Sequence, residues 1–329
     1  MSVHLYTICW NEADMLGFFF RHYDDWIDRY VIYDDGSTDG SLDILHAHPK
    51  VEVRKFVRTN LESFVLSHTR LQNEVWQESR GKADWIVVTA LDEHLWVPER
   101  SMTDYLAEQR ERGATLIPAL GFNMVSEVFP PNDATLVQAI TRGCPAADFN
   151  KLSIFNPDAL QKTNFNPGRH NALPKGRLWL PARDELMLWH FKNIGFERTV
   201  ARETAQGLRL GSVDKAKSFG SQYLWDEQRK QEFWKSLNKE SMELSGSGFK
   251  AHLCCARPLW WEKKYLLLRL PQNMSLSLKF FWLYALPASI LSKLAARLKR
   301  LTRRVLSKKN GQRKTTSQTG GKQNSINSH

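Results

Sequence analysis

The chain has 329 residues, 42% of them hydrophobic, with 12 Trp and 17 Phe, which is ample for a large core and excludes general disorder. Its net charge of +11 belongs to one end: after Glu262 there are 15 Lys and Arg and no acid, which leaves 31 basic against 35 acidic residues before it. A body of about −4 with a tail of about +15 argues against a nucleic-acid-binding body, so nucleic acid is not an expected partner.

Residues 3–9 read as a buried strand that runs into Trp10-Asn11-Glu12, and residues 13–26 place Leu16, Phe19, Phe20 and Tyr23 at helical spacing. Residues 29–33 are β-branched and aromatic and lead into Asp34-Asp35 and a Gly/Ser/Thr-rich turn, followed by a short helix from Ser41. A strand is expected over 51–57 and a helix over 62–78; the apolar run 83–90 then predicts a third buried strand that ends in Asp92-Glu93-His94. A helix over 102–112 and a strand over 115–120 complete a βαβα order. That order predicts an α/β fold, a mostly parallel sheet with helices on both faces. Residues 121–186 show few clear periods, and 199–208 and 222–237 read as helices.

The tail changes character near Pro258. Residues 280–291 are apolar but interrupted by Pro287, and a spanning helix needs roughly 20 apolar residues. Beyond them Leu291, Leu294, Leu298, Leu301 and Val305 form one helical stripe beside Arg297, Lys299, Arg300, Arg303 and Arg304. This basic amphipathic pattern fits an in-plane membrane anchor, with residues 276–307 meeting an anionic surface; a helix packed on the body is the alternative. The expected division is therefore a body at 1–257, a helical membrane-association segment at 258–307 and a disordered polar tail at 308–329. The cysteines, Cys9, Cys144, Cys254 and Cys255, match no zinc or disulfide spacing, and the first residues lack a secretory signal. A reduced, cytoplasmic chain is expected.

Three strands thus deliver acid-rich groups to one sheet edge, where such sheets bind ligands. Each group has a plainer alternative: Asp34 and Asp35 as turn formers, Asp39 and Glu12 as helix caps, Asp92 and Glu93 as strand-end residues.

The series Asn11-Glu12, Asp34 to Ser41 (DDGSTDGS) and Leu91-Asp92-Glu93-His94, each after a strand, resembles glycosyltransferase family 2, in its compact bacterial branch with a D-x-D-E-F signature. The resemblance covers about residues 3–100. Shorter matches continue at Lys151 to Pro157 with His170, and at Leu188 to Lys192. It implies a GT-A fold and transfer of a sugar from a nucleotide donor, expected to be UDP-linked, with inversion and with Mn²⁺ or Mg²⁺ as cofactor. By the same resemblance Asn11, Glu12, Asp34 and Asp35 are nucleotide-binding, Asp35 before Asp34. Asp92 is a metal ligand, and His190 a metal or diphosphate ligand. Ala90 stands where the family has the first Asp of D-x-D, a replacement that implies either weaker donor binding or a shift of work towards Glu93. Lys151, His170 and Glu93 are candidates for phosphate or acceptor contact.

Inverting transfer needs a general base, normally Asp or Glu. Glu127, Asp133, Asp148, Asp184 and Glu185 all qualify; Asp184 and Glu185 just precede the His190 strand, and the residues do not choose between them. The expected role is glycan or lipid-linked acceptor glycosylation in surface polysaccharide or lipopolysaccharide synthesis, on the inner face of the cell membrane. The competing readings are a nucleotidyltransferase and a catalytically degenerate protein that binds nucleic acid or acts as a scaffold through its basic tail.

Overall fold

Strands buried on both faces of a parallel sheet need near-continuous apolar runs, and the chain supplies three near its start. The computed structural model describes residues 1–246, 249–257 and 259–265. In it β1 (Val3–Cys9), β2 (Arg29–Asp34), β3 (Val51–Lys55) and β4 (Trp85–Val88) lie parallel in the order β3-β2-β1-β4. Helix α1 (Ala13–Tyr23) joins β1 to β2, and α2 (Ser41–Ala47) joins β2 to β3. Helix α3 (Phe64–Glu74), begun by the Ser63 hydroxyl accepting from the Leu66 N–H and continued by a 3₁₀ turn, leads into β4.

The connections run outward from β1 to β3 and then return across the sheet to β4. Right-handed crossovers therefore put α1 and α2 on one face and α3 on the other. They also make β1 and β4 neighbours whose chains leave in opposite directions. That is the switch point at which open α/β sheets hold ligands beyond their carboxyl ends. Register sets Cys9 beside Asp34 there.

Burial fixes α1 against the sheet. Met15, Leu16, Phe18, Phe19, Phe20 and Tyr23 are all buried, each contributing roughly 1.5–3 kcal/mol when fully removed from water. The stripe is wider than the four positions expected, because the helix is covered on two sides.

The second half extends the sheet with mixed pairing. Strand β5 (Glu93–Trp96) follows β4 almost at once, and α4 (Met102–Glu111) starts at the Ser101 cap. Strand β6 (Leu116–Ser126) is followed by the single turn α5 (Leu136–Ala139), β7 (Arg142–Pro145) and β8 (Lys151–Phe155). A separate two-stranded ribbon pairs β9 (Leu160–Lys162) with β10 (Lys175–Gly176). Strand β11 (Met187–Ile194) runs parallel to β6 and antiparallel to β5, and β8 lies antiparallel between β4 and β6. Then come α6 (Phe196–Leu208), α7 (Ser212–Ala216), α8 (Glu227–Glu240), β12 (Met242–Glu243), α9 (Ala251–Cys254) and α10 (Trp260–Tyr265).

The fold is α/β with a mostly parallel central sheet, as expected. The stretch 121–186, which showed little periodicity, holds strands of only two to five residues besides the end of β6, too short to register as alternation. The helix expected over 222–237 is split, because the Asp226 side chain accepts from the Arg229 N–H and starts α8 there.

At the far end of the body Trp261 is fully buried and its indole N–H donates to Asp184, while the Trp260 indole donates to the Asn150 carbonyl. The apolar run 280–291, the amphipathic stripe and the polar segment 308–329 lie outside the described residues. No helix among the described residues is long and apolar enough to cross a membrane.

Candidate functional site

Beyond the carboxyl ends of β1 and β4 opens a cavity of about 970 Å³, walled by β11, α6, the turn before β8 and the segment Asn166–His170. Four groups of paired charges surround it, and each ties together distant parts of the chain.

At the centre, Arg202 on α6 donates from Nε to Glu12 Oε1 at 2.9 Å and also from Nη2, while its Nη1 lies 3.1 Å from Asp92 Oδ2. The same Asp92 oxygen is 3.4 Å from His190 Nε2. Strand register explains the meeting: β11 pairs with β5 so that His190 faces Glu93, one residue after Asp92. Burial opposes the Asp92 charge, but His190 and Arg202 outweigh it and hold the carboxyl well below the usual range. Burial pushes Glu12 up to about 6, restrained by Arg202 and reinforced by Asp92. Glu12 stands at the N-cap position of α1 yet makes no side-chain cap; its carboxylate turns to the cavity instead, with Oε2 buried and lacking a partner among the described residues.

Beneath this lies a second group. Glu93, 2% exposed, accepts from Lys151 Nζ at 2.6 Å and from Arg169, whose Nη1 also donates to the Val88 carbonyl. Burial works against the Glu93 charge, yet Arg169 and Lys151 hold its carboxyl far below the ordinary value. Burial lowers Lys151 in turn, with Glu93 opposing the fall. The charges of Glu93 and Lys151 are therefore spent on each other.

Two further groups flank the opening. Asp35 is gripped by Arg58 at 3.0 Å and by Arg209, whose guanidinium lies 3.6 Å from the Trp10 ring centroid. Glu203 is 2.7 Å from Lys192 and 3.8 Å from Lys230. Three of the four groups carry one cation more than carboxylates, a setting that favours an anion; the Arg202 group alone is rich in carboxylate.

The sequence candidates sort accordingly. Glu12, Asp92, Glu93, Lys151, His170 and His190 line the cavity. Asn11 and Asp34 do not. Asn11, at a φ of +51°, accepts from the Thr38 N–H and donates its own N–H to Ser37, and Asp34 accepts from the N–H groups of Gly36 and Ser37. Both side chains build the turn, which for Asp34 is the plainer alternative. Asp35 reaches the cavity through its arginine partners rather than directly.

Asp184 and Glu185, the base candidates that precede β11, are engaged elsewhere. Asp184 accepts from Trp261 and Glu185 from Arg100, and neither lines the cavity. Of the five carboxylates considered for that task, only Asp148 does. Asp148 is exposed, and its carbonyl accepts from His170 Nδ1 at 2.6 Å. Its wall is set by Gly121 in β6, where an added Cβ would lie 2.2 Å from the Phe149 carbonyl carbon; the Phe149 ring is in turn 4.2 Å from that of His190.

Arg202, Arg209, Arg58, Lys192 and Arg169 were not anticipated. A weak signal for the first two lay in the helical spacing of Arg198, Arg202, Gln206 and Arg209, but nothing in the sequence pairs that stripe with Glu12.

The donor set does not fit the expected divalent cation. Asp92 and His190 do meet, but a guanidinium already bridges Asp92 and Glu12, and among the described residues no group of three His, Cys, Asp or Glu side chains is placed to hold a metal.

No family model and no curated protein matches the chain. Among solved structures it is similar to a 4-diphosphocytidyl-2C-methyl-D-erythritol synthase, at 15% identity over 48% of this chain and 76% of that one, with a TM-score of 0.25. It is also similar to HddC from Yersinia pseudotuberculosis, at 7% identity over 60% of this chain and 84% of that one, with a TM-score of 0.22. Superpositions this loose carry no functional argument, and the reading of the site rests on its own residues.

Proposed function

We propose that the protein is a glycosyltransferase, moving a sugar from a nucleotide-diphosphate donor to a glycan or lipid-linked acceptor. The observation that carries this reading is the cavity at the β1/β4 switch point, with Arg202, Arg209, Arg58 and Lys192 ranged around Glu12 and Asp92. A leaving diphosphate needs cations that meet its charge as the glycosidic bond breaks. Trp10 and the Arg209 guanidinium stacked over it both line the cavity, and the pair offers a flat cationic surface for a nucleoside.

Asp148 is the proposed general base. It takes the acceptor hydroxyl proton while that oxygen bonds to the anomeric carbon from the side opposite the donor oxygen. The carbon–oxygen bond to the diphosphate breaks, and its electron pair leaves with the phosphate. The acid-free basic tail, residues 263–329, is the proposed attachment to an anionic membrane face, which would bring the cavity to a lipid-linked acceptor.

The test is calorimetric titration of the full chain with UDP, GDP, CMP and dTDP, followed by a transfer screen with sugar derivatives of whichever binds. One nucleotide should bind, and its sugar derivative should be consumed by wild type but not by Asp92→Asn, with the fold intact. Failure of all four nucleotides to bind would remove the reading.

A further inference from the structure

A divalent cation serving a nucleotide diphosphate would belong between the switch-point carboxylates and the phosphates. A side chain of this protein already stands there. Arg202 reaches Glu12 at the end of β1 and Asp92 after β4 together, using Nε and Nη2 for one and Nη1 for the other. Two of its five N–H donors are hydrogen-bonded to Glu12 and Nη1 makes an ion-pair contact with Asp92, which leaves donors uncommitted among the described residues on a side chain that lines the cavity.

We propose that Arg202 takes the place of the metal, so that this site binds a nucleotide diphosphate without a divalent cation. The inference rests on the nucleotide-diphosphate reading given above and deepens it. Asp92 Oδ2 faces both Arg202 Nη1 at 3.1 Å and His190 Nε2 at 3.4 Å. A Mg²⁺ bound there at its usual ~2.1 Å would stand within roughly 5 Å of the guanidinium nitrogen, a dication pressed against a fixed positive charge. Swinging Arg202 away would break its two-pronged hold on Glu12 and leave two buried carboxylates exposed to each other. The planar guanidinium also suits phosphate oxygens, which it can meet with paired donors, and it cannot lose its charge. Burial lowers the Arg202 pKa, but Glu12 and Asp92 outweigh it and raise it further.

The experiment is titration of the full chain with UDP, GDP and dTDP in excess EDTA and again in Mn²⁺, for wild type, Arg202→Gln and Arg202→Lys. Wild type should bind one nucleotide in EDTA, with Mn²⁺ changing the affinity less than threefold. Arg202→Gln should weaken binding roughly tenfold or more, and Arg202→Lys less, because it keeps the charge and loses the fork. Binding by wild type only in Mn²⁺ would overturn the metal-free inference and leave the nucleotide site standing. No binding in either condition would overturn both. Thermal unfolding of each variant shows whether it is folded; if Arg202→Gln is not, the wild-type arms and Arg202→Lys still decide.

Discussion

Replacing Glu93 by Gln should destabilise the body far more than the same change at Glu52. Glu93 is 2% exposed, and its partners Lys151 and Arg169 are 5% and 2% exposed. Gln keeps the shape but removes the charge, which strands two buried cations. Removing one partner of a buried ion pair costs about 3–5 kcal/mol, and the second stranded cation puts this case at the upper end. In a domain of this size each kcal/mol moves Tm by about 2–4 °C, so the fall should be at least about 6 °C. Glu52, whose side chain is 44% exposed beside Arg29, belongs to the surface class worth about 0–1 kcal/mol.

Differential scanning calorimetry of wild type and both variants measures this directly, and pH gives a second readout. The folded Glu93 pKa lies below its ordinary 4.5, so its contribution is fully present above that pH and is lost as pH falls beneath it. The Glu93→Gln and wild-type midpoints should therefore converge in acid. A Glu93→Gln shift no larger than that of Glu52→Gln at neutral pH would refute the argument, since it would mean that Lys151 and Arg169 find water once released.

Asp148→Asn should lower kcat by about 10²–10⁴, the usual worth of a general base, with nucleotide affinity unchanged by calorimetry; a matching loss of affinity would assign Asp148 to binding instead. The full chain should pellet with vesicles containing phosphatidylserine, at about 1 kcal/mol per basic residue near the surface. Replacing the apolar run 280–287 by polar residues should abolish this pelleting, whereas binding of RNA by the tail, if it occurs, should survive the replacement.

The parallel core was legible because β1, β2 and β4 are near-continuous apolar runs, and the turn chemistry after each marked where the sheet stops. Asp92 was legible for the same reason. What the sequence did not disclose were partnerships across long separations. Arg202 and Glu12 are 190 positions apart and Arg209 and Asp35 are 174 apart, and no local pattern encodes such a pairing. Asp184 misled because nearness to β11 along the chain says nothing of direction: its carboxylate points to Trp261 rather than into the cavity. The resemblance alone ranks Asp35 before Asp34; the structure turns Asp34 back to the Gly36 and Ser37 amides, while Asp35 meets arginines from the loop after β3 and the end of α6.

Gly121 has no side chain with which to touch a substrate, yet the absence of one lets the 147–149 turn lie flat on β6. Even a methyl group there would push Phe149 outward and carry Asp148 and the His190 contact with it. The shape of this side of the cavity is thus governed from behind, by a position that a survey of lining residues would pass over. An engineer wishing to widen or shift that side should vary the buried strand before the visible wall.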